Sequence, residues 1–112
     1  MIYVDHILTK NEINDIVAKY GPYTKVTVNL DKDELVLGCE LHADGEVILL
    51  EKGAIQDNIW GGGVNYILKE IDDTAVLNLR PRLGNNGLEI SDPTRKEKFI
   101  NVVKNIFQNL WS

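Results

Sequence analysis

Apolar and polar residues follow two different periods along this chain. Ile13, Ile16, Val17 and Tyr20 recur at three- and four-residue spacing, which is one face of a helix. Thr9-Lys-Asn-Glu12 in front of them is a capping box, with Leu8 and Ile13 at its staple positions, and Gly21-Pro22 stops the run. The pattern predicts a first helix over Lys10–Tyr20, after a short strand around Ile2 and Val4. From residue 25 the period changes to two. Val26, Val28 and Leu30 alternate with Lys25, Thr27 and Asn29. After the polar turn Asp31-Lys-Asp33, Leu35, Leu37, Cys39 and Leu41 form one face of a second strand. Ala43-Asp44-Gly45 reads as a tight turn into a third strand, Val47–Leu50.

Gly61-Gly-Gly63 carries too large an entropy cost to suit a helix or strand, and reads as part of a loop spanning residues 53–63. Strand patterns resume at Val64–Lys69 and Thr74–Arg80 around the turn Asp72-Asp73, and 80–87 is a second irregular segment. Asp92 then caps a helix with Pro93 in its first position. Phe99, Val102, Val103, Ile106 and Leu110 make the inner stripe of that helix, predicted over Pro93–Leu110. The sum is an α+β domain spanning residues 1–112. An antiparallel sheet of about five strands carries an N-terminal and a C-terminal helix on one face, and the other face is left open.

Charge refines this picture. The net charge of −5 argues against a nucleic-acid binder. Residues 1–79 hold 6 Lys/Arg against 14 Asp/Glu, and residues 80–112 hold 6 against 3. Such a split suits a basic C-terminal third packed on an acidic sheet. It also suits an anion site marked by Arg80, Arg82, Arg95, Lys96 and Lys98. A lone Cys39 forms no internal disulfide and fits a reducing cytoplasm. The N-terminus lacks a signal-peptide pattern, and no apolar run is long enough for a membrane span.

Strand parity locates the candidate chemistry. If Leu35, Leu37, Cys39 and Leu41 face the helices, Glu40 and His42 emerge on the open face. Asn78 and Arg80 join them if the strand Thr74–Arg80 is a neighbour. His42 is then a candidate acid or base, with Glu40 orienting its ring and Arg80 stabilising negative charge. Asp44 and Glu46 would rim the patch. The bland alternative is an exposed strand end with Glu–Arg pairs that aid solubility. Glu40, His42, Asp44 and Glu46 also form a mixed carboxylate–imidazole set. The turn at Asp44 breaks its parity, so no metal is assigned, and no cofactor is implied.

The strings E-L-H-A-D-G-E, L-L-E-K-G, Q-D-N-I-W-G and L-N-L-R-P resemble the landmarks of a family of small prokaryotic proteins that is a domain of unknown function. The likeness spans about residues 24–105. H-A-D-x-E and N-x-R-P are its most specific parts. It implies that Glu40, His42, Asp44, Glu46, Gln56, Trp60, Asn78, Arg80 and Asn85 occupy landmark positions, but it implies no activity. Three functions fit the sequence: a binding or regulatory module for a small anionic ligand, a small hydrolase or nuclease-like enzyme built on Glu40, His42 and Arg80, and an interaction protein acting as a homodimer.

Overall fold

The computed structural model describes residues 1–112. Five antiparallel strands are arranged in the order β1-β3-β2-β4-β5: β1 (Ile2–Val4), β2 (Tyr23–Asn29), β3 (Glu34–Leu37), β4 (Ile59–Asn65) and β5 (Glu70–Asp72). Helix α1 (Lys10–Tyr20) follows β1, α2 (His42–Glu51) joins β3 to β4, and α3 (Pro93–Ile106) follows the long segment after β5. The predicted first helix is borne out to the residue, capping box included. The last helix ends at Ile106, and a 3₁₀ turn, Gln108–Leu110, completes the predicted stretch.

Helices α1 and α3 share one sheet face, as expected. Ile13 and Ile16 of α1, with Phe99, Val102, Val103 and Ile106 of α3, pack on Val26, Val28, Leu35, Leu37, Trp60 and Val64. The opposite face is not open. Helix α2 crosses it, and Leu49 packs with Val36, Cys39 and Ile59 in a second, smaller core.

That helix replaces the predicted turn and third strand at residues 43–50. Glycine inside a helix costs about 1 kcal/mol against alanine, so Gly45 read as a turn. Its role is steric instead: a Cβ there would lie 2.7 Å from Thr27 Oγ1 and 3.3 Å from Val36 Cβ. The missing side chain lets α2 lie directly on β2 and β3, and Thr27 Oγ1 donates to the His42 carbonyl at 3.1 Å. Strand β3 also ends earlier than its alternation suggests. Gly38 turns the chain with a φ of 78°, so Cys39 enters the α2-side core and Leu41 is exposed rather than facing α1 and α3.

Gly61-Gly-Gly63, expected in a loop, lies inside β4 and pairs with Thr27, Val26 and Lys25 of β2. Each glycine accepts a neighbour that a side chain would displace. A Cβ on Gly61 would meet His42 Cδ2 at 2.7 Å and Ala75 Cβ at 2.9 Å. One on Gly62 would collide with the Asp72 carbonyl and Phe99, and one on Gly63 with the Tyr23 hydroxyl. Packing with intruding groups offsets the backbone entropy that made the run look like a loop.

The later strands also shift. Strand β4 stops at Asn65, whose side-chain oxygen accepts from the amides of Ile67 and Leu68. Asp72, read as a turn residue, ends β5. No strand forms over residues 74–80. This stretch contains a 3₁₀ turn, Val76–Asn78, and opens the irregular segment that leads to α3.

Candidate functional site

The irregular segment 73–92 has little repetitive structure to hold it, so side chains tie down its backbone. Asn78 is fully buried. Its Oδ1 accepts from the Gly61 amide at 2.8 Å, while Nδ2 donates to the carbonyls of Gly61, Asp73 and Leu88 at 2.8, 2.8 and 3.0 Å. Facing both polar groups of Gly61, the carboxamide acts as a peptide unit of a missing strand, beyond the point where β5 pairs with β4. Asn85, also buried, performs a similar service: Nδ2 donates to the carbonyls of Asn78, Gly87 and Glu89, and Oδ1 accepts from the Ser91 amide and hydroxyl. The Ile90 amide donates to Asp73 Oδ2 at 3.0 Å. Asn78 therefore spends its polar groups on the chain's own backbone, and Asn85 spends its own on backbone and the Ser91 hydroxyl.

His42 is the first residue of α2, half-buried over Gly61. Its Nε2 lies 2.7 Å from the Gly62 carbonyl. A carbonyl accepts only, so Nε2 carries the proton and Nδ1 of the neutral ring is the acceptor. Nδ1 has no partner in the chain, and no unpartnered side-chain nitrogen or oxygen is buried, so it faces solvent. Burial, with Lys25 nearby, pulls the imidazole below the usual histidine range, against the pull of the Gly62 carbonyl. Histidine is thus held neutral and in one tautomer.

Glu46 stands one turn further along α2, where Arg80 of the irregular segment reaches it. Arg80 Nη2 lies 3.3 Å from Glu46 Oε2, with the two side chains only 10% and 15% exposed. Nη1 donates to the Gln56 carbonyl at 3.1 Å, and the guanidinium sits 4.8 Å from the centre of the Trp60 ring. Trp60 itself is buried, donating to the Asp57 carbonyl at 2.8 Å.

Three consecutive β4 residues, Trp60, Gly61 and Gly62, thus receive Arg80, Asn78 and His42. Of the sequence-predicted residues, His42, Glu46, Trp60, Asn78 and Arg80 meet around one part of β4, but not through shared strand parity. His42 and Glu46 are on α2, and Asn78 and Arg80 are in the irregular segment. Glu40 and Asp44 are exposed. Glu40 contributes only its carbonyl, which accepts from Lys25 Nζ, and Gln56 likewise serves through its carbonyl. No group of three or more His, Cys, Asp or Glu side chains is arranged to hold a metal ion.

A cleft of about 460 Å³ opens beside His42, between the start of α2 and the irregular segment. Its walls are Leu41, Ala43, Ala75, Val76, Leu77 and Leu88, with Lys25, His42 and Thr74 supplying the polar groups. Sequence reasoning missed these walls because it placed Leu41 on the face covered by the helices and residues 74–80 in a strand. An available signal was the cluster of apolar residues at 75–79 with no strand-length neighbour to bury both of its faces.

A family model described as a protein of unknown function (DUF5674) matches residues 2–106. No curated protein and no solved structure gives a significant match.

Proposed function

The chain belongs to the DUF5674 family, one of unknown function, and we propose from its own cleft that it is a binding module for a small ligand with an apolar body and an anionic head, seated beside His42. The cleft's composition carries this reading: apolar walls on both sides, and three polar side chains, Lys25, His42 and Thr74. Its volume falls in the range of small-molecule sites, which pair apolar linings with few polar groups. The Lys25 ammonium would meet the anionic head, and the neutral His42 ring would accept a hydrogen bond through Nδ1.

Binding is favoured over catalysis because the acid–base set is not assembled. The imidazole's hydrogen bond goes to a backbone carbonyl rather than a carboxylate, and the guanidinium of Arg80 is already paired with Glu46. The test is an NMR titration with hexanoate and benzoate, set against hexanol and benzyl alcohol. The carboxylates should shift signals of Leu41, Ala43, Val76 and Leu88 saturably and more tightly than the alcohols, and Lys25→Gln should remove the difference. Absence of saturable shifts at millimolar ligand refutes the reading.

The rim favours a second reading. Leu41 is 62% exposed and Val76 75%, a surface that a second copy of the chain could cover. Sedimentation would then show a concentration-dependent dimer, weakened by Val76→Asp. Monomers at high micromolar concentration would count against it.

A further inference from the structure

Outside the cleft, the strongest unexplained feature is a cluster of guanidinium groups. Arg80 and Arg95 lie 4.8 and 5.2 Å from the centre of the same Trp60 ring. Arg82 Nη2 donates to Asp57 Oδ1 at 2.8 Å, beside them. Arg82 holds the Asp57 carboxyl below the usual range, and the charges of Arg80 and Arg95 reach the same carboxyl. We infer that Arg80, Arg82 and Arg95 form a site for a small anion bearing a phosphate group.

Three facts support the assignment. First, charge does not balance: Glu46 pairs Arg80 and Asp57 pairs Arg82, but Arg95 has no carboxylate partner. Its one side-chain hydrogen bond, from Nη1, is to the Leu83 carbonyl at 3.3 Å. Second, Arg95 is the third residue of α3, whose first turn holds no acidic residue. A cation there opposes the helix dipole, while an arriving anion would be favoured by it. The Asp92 carboxylate at the cap is already occupied by the Arg95 amide, at 2.8 Å. Third, the guanidinium groups are pre-positioned. Arg80 and Arg95 rest on a buried indole with no unpartnered nitrogen buried, and the Arg82 side chain is exposed. Planar forks held in place suit phosphate oxygens better than mobile lysines do. The site lies apart from the cleft and does not depend on it.

The test is titration of the ¹⁵N-labelled chain with inorganic phosphate at constant ionic strength, read at the Trp60 indole N–H and the arginine Nε–H signals. Saturable shifts are expected at Trp60 and Arg95. Arg95→Gln should weaken binding about tenfold, the scale of one charge-assisted hydrogen bond. Lys104→Gln, in the last turn of the same helix, should leave it unchanged. Asp57→Asn removes the competing carboxylate and should tighten it. Backbone amide spectra check that each variant folds. Phosphatidic acid vesicles form a second arm: shifts with phosphate alone assign a soluble ester, and shifts that need the vesicle assign the same chemistry to a lipid head group. No saturable shift in either arm, binding indifferent to Arg95→Gln, or binding weakened by Asp57→Asn would each overturn the site.

Discussion

Replacing Asn78 by alanine deletes a carboxamide that satisfies four backbone groups at once: the Gly61 amide and the carbonyls of Gly61, Asp73 and Leu88. A buried polar group left without a partner costs about 1–3 kcal/mol. Carbonyls with another donor, or with entering water, lose less, so the Gly61 amide should dominate. The expected total is about 3–4 kcal/mol, a large share of the roughly 5–15 kcal/mol that stabilises a typical domain. At about 4 °C per kcal/mol, the melting midpoint should fall by roughly 15 °C. Chemical denaturation with an unchanged slope would measure it. Asn78→Asp sharpens the test, since it keeps the shape but turns an oxygen towards three carbonyls. The introduced carboxyl would resist ionisation, so its folded-state pKa lies above its unfolded one. Between those values the folded chain holds the extra proton, and stability falls as pH rises. A loss below about 1 kcal/mol for the alanine variant would refute the claim that this side chain substitutes for a strand.

Gly61→Ala places a methyl against His42 and Ala75, so the ring or the irregular segment must move. Destabilisation of about 1–3 kcal/mol is expected, with the His42 ring signals displaced; unchanged ring signals would show that the glycine is not required. The buried imidazole also predicts an acid effect. Its folded pKa lies below the unfolded value of 6.5, so the unfolded chain takes up the proton first. Stability is then full above about pH 6.5 and declines as pH falls through the folded value. His42→Gln should flatten that part of a stability–pH curve; an identical curve would exclude the residue as its source.

Features encoded by neighbouring residues were readable from the sequence. The capping box at Thr9 and the stripe from Phe99 to Ile106 depend on contacts within one or two turns, and both helices appeared where expected. Strands β2 and β3 announced themselves by alternation. What misled was chemistry that only distant partners justify. Gly45 and Gly61-Gly-Gly63 look like breakers until Thr27, His42, Tyr23 and Phe99 arrive from elsewhere in the chain. Residues 47–50, apolar and short, fit a strand or a helix equally well by period. Some of the polar landmarks, His42, Asn78 and Arg80 among them, gather around one part of β4, yet Asn78 and Asn85 serve the backbone, and nothing nearby in sequence distinguishes that task from ligand contact.

The three glycines at the centre of β4 have no side chains with which to fix registry, and glycine-rich strands are prone to slip along a partner. Here the buried Ile59, Trp60 and Val64 hold the strand on either side of them, and the alignment of the glycines is reinforced from outside, by a ring, a carboxamide and a phenol that fit only over particular residues. Alleles that shrink those intruders should therefore produce misaligned, aggregation-prone chains before they produce merely weaker ones.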